Sequence, residues 1–120
     1  MTRIFTVDFF DENTGIIFGG DWNDKENREN NKAITMDGGQ TWQLAANGAT
    51  PGYRSCVQYA PGTAGKLILA AGIPGISYSS DGGQNWQDLS TDSFYTFRFA
   101  PGWKQVWLAG NGKIGRLRLK

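Results

Sequence analysis

Apolar residues in this chain come in short runs separated by turn chemistry, a spacing that predicts strands throughout. Residues 3–10, Arg-Ile-Phe-Thr-Val-Asp-Phe-Phe, are β-branched and aromatic and read as a strand, closed by the turn Asp-Glu-Asn-Thr-Gly. Ile16 to Gly20 is a second strand, and a stretch rich in Asn and charge from Asp21 to Lys32 reads as a long loop. Ala33 to Thr35 and Thr41 to Ala45 complete a first group of four. The same pattern recurs as Tyr53–Tyr59, Lys66–Ala71, Ile76–Ser79 and Asn85–Leu89, and again as Phe94–Ala100, Gln105–Ala109 and Ile114–Leu119. That makes eleven strands grouped 4+4+3. Inner strands superpose as Val7-Asp8-Phe9, Val57-Gln58-Tyr59 and Phe97-Arg98-Phe99. Second strands superpose as Ile17-Phe18-Gly19-Gly20, Leu69-Ala70-Ala71-Gly72 and Trp107-Leu108-Ala109-Gly110.

The third-to-fourth strand turn is the same phrase twice. Residues 35–42 read Thr-Met-Asp-Gly-Gly-Gln-Thr-Trp and residues 79–86 read Ser-Ser-Asp-Gly-Gly-Gln-Asn-Trp, 44 residues apart. A repeat of about 40–45 residues is the length of one four-stranded propeller blade. Within the phrase, Asp37 and Asp81 can accept backbone N–H groups a residue or two ahead, and Gly39 and Gly83 can take positive φ. Trp42 and Trp86 then carry a large ring toward the core, each with an indole N–H that needs an acceptor.

This phrase, with Thr35 or Ser79 leading and Trp42 or Trp86 closing, resembles the Asp-box, or BNR repeat, of sialidase-like and sortilin-type propellers. Gly19-Gly20-Asp21-Trp22, Asn31-Lys32-Ala33 and Gly52-Tyr53-Arg54-Ser55 are similar to the C-terminal blades of bacterial proteins related to the photosystem II stability/assembly factor. The resemblance implies an all-β fold of about three propeller blades. These would lie near 3–46, 53–90 and 94–119 of a single 1–120 domain, the last lacking its outer strand. It also implies that the Asp-box is a structural turn, away from the working face. Three blades do not close a ring, since propellers take roughly four to eight. The expectation is therefore a homo-oligomer, a dimer making six blades, or a partial propeller whose N-terminal blades are missing.

Composition narrows the function classes. Twelve Lys and Arg against eleven Asp and Glu, without long like-charge runs, argue against nucleic acid as a partner. The chain has no His, and its single Cys56 builds no disulfide framework. Neither a basic-then-apolar leader nor a run of 18 apolar residues is present, which suits a soluble cytoplasmic chain or the exported form of a bacterial protein. No metal or cofactor is expected: the acidic residues of the 21–32 loop do not follow EF-hand spacing.

In a four-stranded meander the Asp-boxes share one end, and the long loop and blade-to-blade connections share the other. Function is expected on those loops, at Arg3, Asp21, Trp22, Tyr53, Arg54 and Tyr95, binding a partner protein or small ligand without catalysis. Arg54 has a plainer reading as the ion-pair partner of a neighbouring blade's carboxylate. A sialidase-like glycosidase completed in a closed ring is the alternative. It would draw on Arg3, Arg54 and Arg98 with Tyr53 or Tyr95 and Asp8 or Asp21, because arginines pair bidentately with a substrate carboxylate. A truncated fragment without independent function is a third reading. The basic end, Lys113, Arg116, Arg118 and Lys120, reads as a strand with one solvated side.

Overall fold

The computed structural model describes residues 2–102 and 104–119, so Lys120 lies outside it. It is all-β, in three antiparallel meanders. The first comprises β1 (Thr2–Phe9), β2 (Gly15–Asp21), β3 (Lys32–Thr35) and β4 (Gln43–Leu44). The second comprises β5 (Cys56–Tyr59), β6 (Ile68–Gly72), β7 (Gly75–Ser79) and β8 (Gln87–Ser90). The third comprises β9 (Thr96–Phe99), β10 (Gln105–Gly110) and β11 (Lys113–Arg118). The 4+4+3 grouping is as the sequence predicts.

The sheets stack face to face, and two apolar layers hold them together. Ile16 and Phe18 of the first sheet meet Val57, Tyr59, Ile68, Ala70 and Trp86 of the second. Cys56, Leu69, Ala71 and Ile76 of the second meet Phe97, Val106 and Leu108 of the third. Period-two alternation is what lets the second sheet serve both layers: odd and even positions of β6 point to opposite neighbours.

Register corrects one alignment. Val7, Val57 and Phe97 pair with Ile17, Ala70 and Leu108. Ile16-Ile17-Phe18-Gly19 therefore matches Leu69-Ala70-Ala71-Gly72, one residue off the superposition read from the sequence. A one-residue slip exchanges the faces. Ile16 and Phe18, not Ile17, reach the second sheet, and a bulge between Ile4 and Thr6 in β1 accompanies the shift. The lead-in 53–55 also falls outside β5, because Arg54 N–H donates to Gly19 O of the first sheet rather than to its own (2.9 Å).

The inner strands would present unpaired edges, and side chains of the preceding sheet satisfy them. Val57 N–H donates to Thr6 Oγ1 (3.3 Å) and Tyr59 N–H to Asp8 Oδ2 (2.8 Å). One sheet on, Gln58 Nε2 donates to Phe97 O (3.0 Å). In the third sheet the matching residues turn home: Arg98 Nη1 donates to Thr96 Oγ1 and to Phe97 O. The outer face of the first sheet is correspondingly open. Val57 and Phe97 are each 1% exposed, whereas Val7 is 56% exposed.

The repeated turns are built alike. Asp37 Oδ1 accepts Thr41 N–H and Thr35 Oγ1–H, at 2.9 and 2.8 Å. Asp81 Oδ1 accepts Asn85 N–H and Ser79 Oγ–H, both at 2.9 Å. The amide bonded is thus four residues on, not one or two, because both glycines of each turn take positive φ and curl the chain around the carboxylate. Trp42 and Trp86 donate their indole N–H to Gly39 O and Gly83 O. Each turn is also tied to the first loop of its own sheet, Gly38 N–H to Asn13 O and Gly82 N–H to Lys66 O.

Candidate functional site

The end opposite the turns is assembled by polar side chains buried beneath the long loop. Asn31 and Lys32 are fully buried, although the sequence marks them as solvated. Asn31 Nδ2 donates to Pro51 O and Gly52 O, and Lys32 Nζ to Asn31 Oδ1, Ala49 O and Pro51 O. Burial, with the charges of Arg28 and Arg54, draws the Lys32 ammonium down to about 8. Tyr53 N–H donates to Lys25 O, and a Cβ on Gly52 would meet that carbonyl at 2.4 Å. The loop 22–31 is thus clamped onto the connection between the first two sheets.

On this clamp sits an aromatic step. Tyr53 is tilted against Phe5 (centroids 5.3 Å) and edge-on to the exposed Trp22 (5.7 Å), and Lys25 Nζ lies 4.2 Å from the Trp22 ring centre. A Cβ on Gly20 would stand 2.5 Å from Tyr53 Cα, so glycine is what admits the close approach. Burial, and then the neighbouring Tyr95, push the Tyr53 phenol up.

Beside the step, Arg54 forms the floor of a cleft of about 350 Å³ whose walls include Lys25, Arg28, Thr50 and Asp88. Arg54 is 4% exposed. Its guanidinium donates to Tyr53 O and to Ser77 Oγ, both at 2.7 Å, and Nη2 lies 3.7 Å from Asp88 Oδ1. Arg54 Nε is buried with no hydrogen-bond partner. Burial lowers the guanidinium to about 10 against the opposing pull of Asp88. Burial raises Asp88, but hydrogen bonds from Thr50 and Ser77 and the charge of Arg54 outweigh it and hold the carboxyl below its usual range.

This network belongs to the second sheet. Ser77 pairs with Ala70 and Asp88 with Ser77; the matching residues of the first sheet are Ala33 and Leu44. In the third sheet Phe94 takes the place of Arg54, its N–H donating to Gly72 O as Arg54 N–H does to Gly19 O, and Gly115 takes the place of Ser77. A buried guanidinium, paired with a largely exposed carboxylate, therefore stands where the fold elsewhere manages with apolar residues.

The six residues expected from sequence gather around Tyr53 to different degrees. Arg3 and Asp21 sit at the open ends of β1 and β2, Arg3 exposed and paired in register with Gly20; Asp21 Oδ1 accepts Asn23 N–H. Trp22 and Tyr53 belong to the step with Phe5, whereas Tyr95 bears on Tyr53 through its charge and accepts Ser55 Oγ–H at its carbonyl (2.7 Å). Arg54 points away from the step into the cleft, and its carboxylate is on its own sheet rather than a neighbouring one. Arg98 and Asp8, candidates for a glycosidase site, line a separate cavity of about 600 Å³ beside Pro61 and Gly62, at the other end. Asp88, Ser77 and Lys32 escaped the sequence reading. A Ser and an Asp at positions that are Ala and Leu one repeat earlier were the available signal.

No family model and no curated protein matches the chain. Solved structures do. One described as YCF48 bound to D1 peptide superposes with TM-score 0.68 at 22% identity over 98% of this chain and 38% of that one. An ancestral GH74 enzyme superposes with TM-score 0.64 at 18% identity over 89% of this chain and 16% of that one. The chain therefore spans well under half the length of either. At these identities the likeness speaks for the fold: the three sheets are β-propeller blades, the third without a fourth strand among the described residues. Among the described residues, no helix is long and apolar enough to cross a membrane.

Proposed function

We propose that this chain is a non-catalytic propeller scaffold of the BNR/Asp-box type, its blades near residues 3–46, 53–90 and 94–119. It holds a segment of a partner protein, or a small ligand, on the end opposite the Asp-Gly-Gly turns. Arg54 is the anchor, with Trp22, Tyr53 and Tyr95 as the aromatic side and Arg3 and Asp21 at the rim. The observation that carries this is the Arg54–Ser77–Asp88 network, in which a buried guanidinium with its Nε unpartnered lies beneath a cleft and reaches a carboxylate at the surface. Burying a charge is costly, and matching positions in the other two blades avoid it. Stability alone does not ask for it. The YCF48 structure, which holds a peptide, supports the choice of a peptide segment as ligand. In this reading a second copy of the chain completes a six-bladed ring around the site.

Selection from a phage-displayed random peptide library tests the reading. Peptides enriched on the chain are expected to weaken about tenfold or more with Arg54→Met, and by a smaller factor with Trp22→Ala, whose ring is exposed. Binders indifferent to both substitutions, or no binders at all, would sink it. Sedimentation velocity is expected to show a dimer; a monomer at micromolar concentration would remove the second copy.

A further inference from the structure

Asparagine followed by glycine occurs twice in the chain, at Asn47-Gly48 and at Asn111-Gly112. The pair is chemically reactive: asparagine is among the thermolabile residues, and a glycine amide can close on its side chain with no Cβ in the way. The fold treats the two copies differently. At the first, Asn47 Oδ1 accepts Asn30 N–H (2.7 Å) and Gly48 N–H donates to Arg28 O (3.0 Å). Both groups that would have to meet are thus engaged by the 22–31 loop. The second copy is the exposed two-residue tip of the β10–β11 hairpin, with φ of +55° at Asn111 and +74° at Gly112 and with Gly110 facing Lys113 across it. Among the described residues neither the Asn111 side chain nor the Gly112 amide makes a hydrogen bond, and a Cβ on Gly112 would meet nothing within 4 Å.

We propose that Asn111 is a site of spontaneous modification, converting to aspartate and isoaspartate while Asn47 stays intact. Gly112 N, having given its proton to hydroxide, attacks Asn111 Cγ. The N–Cγ bond forms, the Cγ–Nδ2 bond breaks, and ammonia leaves with a proton taken from water. Water then opens the cyclic imide. Cleavage between Cγ and the Gly112 nitrogen leaves aspartate on the ordinary backbone, whereas cleavage between the Asn111 carbonyl carbon and that nitrogen leaves isoaspartate, its main chain running through Cβ. Water and hydroxide are the only co-reactants. Either product adds a negative charge to the loop end. Isoaspartate also adds a main-chain atom to a turn whose two-residue length sets the pairing of Gly110 with Lys113. The change falls beside one of the residues expected at the site: Tyr95 N–H donates to Ala109 O, and a Cβ on Gly110 would stand 2.5 Å from Tyr95 N.

Trypsin reports on the two copies separately. It releases residues 33–54, in which Asn47 is the only asparagine, and residues 105–113, in which Asn111 is the only one. After the folded 120-residue protein has aged in mildly alkaline buffer, mass spectrometry of the digest is expected to find 105–113 modified about tenfold faster or more than 33–54, because Asn47 and Gly48 must first break two hydrogen bonds. In urea the two rates should converge, since neither pair is then restrained. Equal rates in the folded protein, a faster Asn47, or an Asn111 that reacts only in urea overturns the proposal. The charge-separated aged fraction should also melt below the Asn111→Asp protein, which carries the same charge on an ordinary backbone. Equal melting temperatures would show that no isoaspartate disturbs the hairpin, and overturn that half of the assignment.

Discussion

The two ends of this molecule solve the burial of polar groups in opposite ways. At the turn end, each Asp and hydroxyl residue bonds to amides within its own eight-residue phrase, and the arrangement is the same in two blades. At the loop end, Lys32, Asn31 and Arg54 bond to carbonyls and side chains from distant parts of the chain, and no second blade repeats them. A self-contained motif can be copied with the repeat. A network that draws on the connection between blades and on strands distant in the chain depends on neighbours that differ from blade to blade. Repetition therefore marks scaffold, and its local failure marks the candidate site.

The comparison can be broken first on the scaffold side. Trp86→Ala removes a buried indole from the first blade interface and should lower unfolding free energy by about 4 kcal/mol, whereas the partly buried Trp42, packed on Phe9, should lose only about 1–2 kcal/mol on the same change. Equal losses in urea unfolding would show that the two turns are not anchored differently.

On the other side, Lys32→Met deprives Asn31 Oδ1 and Ala49 O of their donor and should lower stability by about 2–3 kcal/mol. A neutral result would mean that the clamp beneath the long loop is held by Asn31 alone.

Asp81→Ala should lower stability by about 1–2 kcal/mol, because its acceptors are exposed and water replaces part of what is lost. A cost matching that of Lys32→Met would erase the distinction between the ends.

Acid and alkali sharpen it further. Hydrogen bonds from the Thr41 hydroxyl and amide and from Thr35 hold Asp37 down to about 2, so its contribution is complete above about pH 4 and fades as pH falls toward 2. Lys32 titrates at about 8 when folded and near 10 when unfolded. Between those values the unfolded chain holds the extra proton, and stability should rise with pH. A thermal melt series showing no rise from pH 8 to 10, or the same rise in Lys32→Met, contradicts this assignment.

Strand number and grouping were legible because apolar runs and glycine turns are local signals. The blade period was legible because Asp37 and Asp81 recur in one phrase. The face of β2 was not: Ile16-Ile17-Phe18 is a continuous apolar run without alternation, and the bulge after Ile4 leaves no mark in composition. Tyr53 and Trp22 were recognised as belonging to one end, since topology alone brings their loops together. The partner of Arg54 was missed because Asp88 reaches it only through the pairing of β7 with β8, a non-local fact. Lys32 was missed because a charged residue reads as solvated until three carbonyl-type acceptors are found around it.

The side chains that cap inner-strand edges carry a sense of direction. Thr6 and Asp8 accept from the next blade's amides, and Gln58 donates to the carbonyl of the blade after that, whereas the third blade reaches back with the Thr96 hydroxyl to Cys56 Sγ. Blades so joined are not interchangeable beads. Swapping the order of the first two would set Gln58 where Asp8 now accepts from Tyr59 N–H, and Asp8 where Gln58 now donates to Phe97 O, so neither join would be made as it is now. The order of blades is thus written into the side chains of their inner strands as a polarity, like the head and tail of a polymer.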